Sequence, residues 1–379
     1  MRKILAMLLA VVMVLGLCAC GGNSAAPAET TAAATEAPAA AENADDVPDE
    51  MTSSDGKYEI AFVTDVGQLK DKSFNQGTFD GVKLYAANAG KSYKYYQPAG
   101  GDQATDDDRY DAMKLAVENG AKVVVCAGFM QGTALQKAAE EFTDTRFVFI
   151  DGWALGLNNV AGIAFQEEQC GYLAGYAAVM DGYTKLGFTG GGGGANAACN
   201  RYGYGFVQGA DAAAKEMDVK VEMNYTYGGQ FNGSPEITAK MEGWYQKGTE
   251  IVFACGGGIY TSALEAAEKN GGKVIGVDVD QSYISKLIVT SAMKQLQNVT
   301  ELMLDTLNKG EWETYGGKVS NFGLLEGEYV GLPTDTWSME HFTVDEYNAV
   351  KEQIRSGEIE VSNSTEAMPE VSITVNEIA

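Results

Sequence analysis

The chain has 379 residues, a formal net charge of −25 and a single histidine, His341. A surface this acidic repels DNA, RNA and anionic lipid headgroups. One histidine excludes a His-rich metal site, and it stands in WSMEHF near the C-terminus with no G-x-S-x-G in the chain to suggest a triad. The few arginines beyond the N-terminus (Arg109, Arg146, Arg201, Arg355) argue against a phosphorylated ligand.

In chain order, residues 1–19 read as a signal segment. Arg2 and Lys3 precede the apolar run Ile4 to Leu17, which falls short of the roughly 20 apolar residues of a membrane span. Leu17-Cys18-Ala19-Cys20 followed by Gly21 is similar to a bacterial lipobox, which makes Cys20 the lipidated residue. An uncleaved anchor and plain secretion are the alternatives. Residues 20–56 carry no Lys or Arg and hold Pro27, Pro38 and Pro48. Too polar to offset their ordering entropy, they read as a disordered acidic tether reaching roughly 30 Å.

Beyond residue 56, apolar runs alternate with segments of helical period. Strands are expected at 58–64, 122–128, 146–151, 185–190, 250–256, 273–279 and 286–291. Between the first two, Ser73 and Gln76 form an S-x-x-Q capping box. There, Phe79, Val82, Ala86 and Ala89 share a helix face that Gly90 closes. DDDR (106–109) reads as an acidic helix start, and TSALEAAEKNGG (261–272) as a helix stopped by glycines. The pattern implies an α/β protein with parallel sheets covered on both faces. Its length calls for two lobes, since single cores stop growing at about 250–300 residues. Cys126 and Cys255 end apolar runs and read as buried thiols. A disulfide at Cys170 or Cys199 is left open.

In doubly wound sheets, ligands sit beyond the carboxyl ends of the strands. That rule selects Asp65, Phe74 and Asn75 after the first strand, then Phe129, Asp151, the glycine run 190–194, Cys255 to Gly258, and Asp278 with Asp280 and Gln281. The glycine run lacks the G-K-S/T of a phosphate cradle, so it reads as a close-approach loop or a lobe connection. Asp278 and Asp280 lack the Gly and Glu of a calcium loop. No metal and no cofactor are expected. Carboxylates and amides that bond hydroxyls, with rings that stack on a flat heterocycle, suit an uncharged polar, partly aromatic ligand.

TDVGQLKDKSFNQGTFDG, VVCAGF, FVFIDG, FQEEQCGYLAGYAA, KVIGVDVDQS, VTSAMK and FGLLEGEYVGL resemble, in that order, the basic membrane protein family of bacterial lipoproteins. The resemblance implies a type I periplasmic binding protein, with two doubly wound parallel-sheet lobes joined by hinge crossovers. It implies a lobe of 57–160 with 286–315 and a second of 161–285 with 316–379. It also implies capture of a nucleoside, a purine one by preference, for the permease of an ABC importer. Ligand contacts would come from Asp65, Phe74, Asn75, Phe129, Asp151, Asp278 and Lys294, with Asp278 and Lys294 at the sugar and Phe74 at the base. The protein would be a monomer, lipid-anchored at Cys20 on the outer face of the cytoplasmic membrane, and not an enzyme. The match departs from the family at TGGGGGANAACNRYGYGFVQG, where Tyr202 and Phe206 are the candidates for the second lobe's contacts. A sugar or autoinducer receptor on the same fold, and a nucleoside hydrolase or phosphorylase, are the rival readings.

Overall fold

Continuous apolar runs form the centres of two sheets, because a strand buried on both faces has no polar side to show. A computed structural model describes residues 41–66 and 68–378. The expected signal segment, Cys20 and the tether up to residue 40 lie outside the described residues. The first lobe contains β1 (Ile60–Val63), α1 (Phe74–Ala89), β2 (Tyr93–Tyr96), α2 (Asp106–Glu118), β3 (Val123–Ala127), α3 (Gly132–Glu141), β4 (Arg146–Ile150) and β5 (Val160–Phe165). Its strands run parallel in the order 2-1-3-4-5. Alternate residues pack in opposite directions. Phe62, Val125 and Val148 meet Phe79 and Val82 of α1, whereas Val63, Val124 and Phe147 meet Met113 of α2 and Leu135 of α3.

The chain then crosses through α4 (Glu167–Met180) and repeats the arrangement. β6 (Lys185–Gly190), α5 (Ala197–Met217), β7 (Glu222–Tyr227), α6 (Pro235–Gln246), β8 (Ile251–Cys255), α7 (Tyr260–Asn270), β9 (Lys273–Asp278) and β10 (Ile288–Lys294) give the parallel order 7-6-8-9-10. In both sheets the winding reverses beside the first strand, between β1 and β3 and between β6 and β8. A doubly wound sheet opens a ligand crevice at that point. α4 and α5 lie unusually close: a Cβ on Gly175 would stand 2.1 Å from the Phe206 carbonyl oxygen, and one on Gly209 1.9 Å from that of Tyr172. Only glycine permits this approach.

α8 (Leu296–Asn308) returns to the first lobe, where Gly81 of α1 faces the Gln297 backbone. β11 (Val319–Phe322) then adds to β5. β12 (Val330–Gly331) goes back to β10 as an antiparallel strand, α9 (Val344–Ser356) follows, and β13 (Thr374–Glu377) extends the second sheet beside β7. The fold class is therefore the expected one, two doubly wound lobes. Three strands lie in the opposite lobe from the boundaries expected of the sequence. β5, placed in the second lobe beyond Val160, stays beside β4 in the first sheet. β10, almost wholly buried, stays with β9 in the second sheet. β11, half-exposed and suited to an edge, joins the first. The tyrosine-rich strands β2 and β7 and the small-residue strand β5 were not expected, because none is a continuous run of large apolar residues.

Two further expectations need correction. Residues 41–56 are not a free tether but a strap on the first lobe. Ala44 and Val47 are buried there. The ammonium of Lys83, itself 4% exposed, donates to the Ala44 carbonyl at 3.0 Å and to Asp49 at 2.9 Å. A buried lysine needs such acceptors, and the strap supplies them. Ala89, placed on the buried face of α1, is exposed in its last turn.

Candidate ligand cleft between the lobes

The strand ends of both lobes line one narrow cleft, with about 50 Å³ of room for water in this arrangement. Asp65, Phe74, Asn75, Phe129, Asp151, Asp278 and Lys294 all line it. They come from five strand ends and one helix start, so only the fold brings them together.

α1 begins differently from the capping box expected at Ser73 and Gln76. The Asp71 carboxylate accepts from the backbone N–H groups of Ser73 (2.9 Å), Asn75 (3.0 Å) and Gln76 (3.1 Å). A carboxylate two residues earlier satisfies more of the unpaired donors than a hydroxyl does. That frees the Ser73 hydroxyl, which donates across the cleft to Asp278 at 2.5 Å. The Asn75 amide nitrogen donates to Asp71 and to the Val66 carbonyl. Its Oδ1 is buried with no hydrogen-bond partner, whereas Asp65 Oδ1 lies 3.6 Å from the Arg109 guanidinium Nε, equally buried. An orphaned amide acceptor in this wall calls for a ligand that donates.

At the other end stands Lys294, 2% exposed. Its ammonium donates to Asp151 at 2.7 and 2.8 Å and to Glu167 at 3.3 Å, and lies 3.9 Å from Asp278. The Phe74 ring centroid is 4.8 Å away. Asp151 and Asp278 both hold positive φ, 55° and 67°. Strained backbone of this kind at a strand end collects at functional sites. Arg201 of α5 bonds Glu167 at 2.7 Å. Burial would raise the Glu167 carboxyl, yet Arg201 and Lys294 hold it below its ordinary value. Burial lowers the Lys294 ammonium less than Asp151, Glu167 and Asp278 raise it, so it stays charged.

Burial pushes Asp65 up to about 7 despite Arg109, Asp151 up to about 6 despite Lys294, and Glu168 up to about 7. In the unfolded chain all three return to about 4. Between about pH 4 and 7 the folded state therefore binds more protons, and stability falls as pH rises through that window. The unliganded protein is expected to melt at a higher temperature at pH 5.5 than at pH 8, with Asp65→Asn flattening the slope. Differential scanning fluorimetry across pH checks this; a melting temperature that climbs toward pH 8 contradicts it.

The second lobe contributes Asn196, Cys199, Tyr202, Phe231, Asn232 and Gly256 to Gly258. Tyr202 donates to Asp278 at 3.4 Å. Phe206 lies outside the lining and packs on Phe253, fully buried. The ring facing the first lobe is Phe231, 6.3 Å from Phe129 between centroids. Sequence reading missed it, although a ring in the Gly- and Asn-rich stretch GGQFNGS was a usable signal. The glycine run is the close-approach loop, not a lobe connection. A Cβ on Gly191 would sit 2.5 Å from the Phe231 ring. Gly191→Ala is expected to displace that ring and cost about 1–2 kcal/mol of ligand affinity, roughly tenfold. Titration calorimetry on the variant is the check, and affinity equal to the parent protein disproves the cradle role.

Phe129 to Phe231, Ser73 to Asp278, and Asn232 to Asp102 all bridge the lobes. The rings touch at a tilt of 55°. A flat heterocycle sandwiched between them needs about 7 Å, two van der Waals spacings, so its entry requires the lobes or rings to part.

Two doubly wound lobes with a cleft at their switch points give this chain the fold of a type I periplasmic binding protein. Solved structures agree on the fold. A solute-binding protein of an ABC transporter system from Aeropyrum pernix K1 superposes with a TM-score of 0.69 at 19% identity, covering 83% of this chain and 94% of that one. One from Conexibacter woesei gives 0.63 at 20% identity, covering 81% and 99%. The model of the Bmp family, described as ABC transporter substrate-binding protein PnrA-like, matches residues 58–365, and the chain belongs to that family. It is 28% identical over 290 residues to the ABC transporter nucleoside-binding protein BmpA of Lactococcus lactis, covering 70% of this chain and 79% of that protein. To basic membrane protein B of Borreliella burgdorferi it is 29% identical over 318 residues, covering 80% and 89%. The protein is thus a substrate-binding component of an ABC transporter, a family of binding proteins and not of enzymes.

Proposed function

We propose that the cleft captures a nucleoside, a purine nucleoside by preference, and delivers it to a membrane permease. The observation that carries this reading is the polarity of the cleft. One end holds Asp278 and Lys294 in a charged cluster suited to vicinal hydroxyls, and the other holds Phe129, Phe231, the unpartnered Asn75 Oδ1 and the Arg109-paired Asp65, suited to the edge of an aminated base. Ionised acceptors bond sugar hydroxyls at about 1.5–3 kcal/mol each. Phe74 bridges the two ends. The L. lactis relative, named for nucleoside binding, supports the same assignment. Asp65 and Asn75 read the base, Asp151 orients Lys294, and both lobes bind the ligand in the closed state. Lipidation at Cys20 would hold the protein, as a monomer, at the outer face of the cytoplasmic membrane.

Isothermal titration with adenosine, guanosine, inosine, uridine and ribose tests the assignment. Purine nucleosides are expected to bind at micromolar affinity or tighter, about 8 kcal/mol or more, with uridine weaker and ribose silent. Heat from ribose alone favours a sugar receptor, and no heat from any nucleoside ends the reading.

A further inference from the structure

Among the described residues four thiols are free and buried, at Cys126, Cys170, Cys199 and Cys255, so the disulfide left open by sequence is not formed here. Two of them differ from the rest: Cys199 and Cys255 line the ligand cleft, and Cys126 and Cys170 do not. They lie 56 positions apart in sequence yet adjoin in space. The Cys199 thiol is 3.8 Å from the Cys255 carbonyl oxygen, so the two side chains leave neighbouring backbone at one wall of the cleft. We propose that Cys199 and Cys255 are a redox-sensitive pair, which a small-molecule disulfide links in the open, unliganded protein and which then weakens ligand capture.

The chemistry is thiol–disulfide exchange. Cys199, the more exposed at 5% against 1%, attacks the disulfide as thiolate, forms a mixed disulfide and releases one thiol. Cys255 then displaces the second thiol. Two protein thiols lose two electrons and two protons, and one small disulfide becomes two thiols. Burial and the neighbouring Cys199 push the Cys255 thiol well above its ordinary range, in keeping with its reacting second. The family acts outside the cytoplasm, where disulfides persist. A closed cleft shields both sulfurs. The proposal therefore rests on the reading that the lobes open and close over a nucleoside.

Linkage would be felt by the ligand because of what the two residues carry. Cys199 is in the first turn of α5, its N–H held by Asn196. Cys255 ends β8, and its carbonyl accepts from Gly191 at 2.8 Å. Gly191 and Gly256 leave the space in which Phe231 sits, with built Cβ distances of 2.5 and 3.3 Å to that ring. A disulfide draws the sulfurs to about 2.05 Å. Drawing them in shifts the β8 end and Gly191 against Phe231.

The test uses full-length reduced protein and oxidised glutathione, read by intact mass and non-reducing peptide mapping. The expected result is a loss of about 2 Da, two hydrogens, and one linked peptide joining Cys199 to Cys255. Saturating guanosine should slow linkage by at least about tenfold, and the linked protein should bind guanosine at least about tenfold more weakly, reversed by a dithiol. Cys199→Ser should form no link, and its affinity, whatever its value, should be equal before and after oxidant. A stable glutathione adduct without closure, a link through Cys126 or Cys170, or unchanged affinity after linkage overturns the proposal. The mass readout needs no ligand. Linkage in a protein that binds no nucleoside would retire the ligand assignment and leave the thiol pair standing.

Discussion

Lys294→Met is expected to destabilise the protein by about 3–5 kcal/mol, the range for removing one partner of a buried ion pair. The ammonium is 2% exposed and is the cation that Asp151 and Asp278 face, with Glu167 sharing it with Arg201. Without it, two buried carboxylates must stay charged with no counter-ion or take up protons. Their affinity for protons then rises further above the unfolded value, so the deficit should shrink as pH falls. Urea unfolding at pH 5.5 and pH 8 measures this. A midpoint equal to the parent protein at pH 8 refutes the central position of Lys294. Adding Asp151→Asn should restore part of the loss, because that variant no longer carries one of the stranded charges.

Asp278→Ala is expected to weaken nucleoside binding by at least about a hundredfold. Two charge-assisted bonds to the ribose hydroxyls, at about 1.5–3 kcal/mol each, disappear together, and each 1.4 kcal/mol is tenfold. Asp278 is 4% exposed and held by Ser73 and Tyr202, so its carboxylate is positioned before the ligand arrives. Burial raises its carboxyl, with Lys294 and Ser73 opposing. The alanine variant removes that cost, and its folding should survive. Calorimetry with a purine nucleoside decides the matter. Undiminished affinity in a folded variant would remove Asp278 from the sugar site.

Much of this arrangement can be seen before folding is considered. YEIAFVT, KVVVCAG, RFVFID and EIVFACG are strands because uninterrupted apolar residues can only be satisfied on both faces at once. The residues just past them border the cleft because the fold puts strand ends there. Two strands were hidden for the converse reason: β2 and β7 are half-wet and carry no continuous apolar run. Ser73 shows a different limit. Its capping motif was real as a pattern, but a better-placed carboxylate at Asp71 took the donors and released the hydroxyl to the other lobe.

Sequence by itself determined the class of fold and pointed to Asp65, Phe74, Asn75, Phe129, Asp151 and Asp278, all of which line the cleft, since those follow from local periodicity and position past a strand; Lys294 came only through the family resemblance. Only the tertiary structure decided that Phe231 opposes Phe129, that Cys199 adjoins Cys255, and that Arg201 shares Glu167 with Lys294. Each of those pairings joins positions from 34 to 127 residues apart. No local rule relates such positions; they are neighbours because parallel strands wind the chain back to the same edge of a sheet and because glycines let the walls approach.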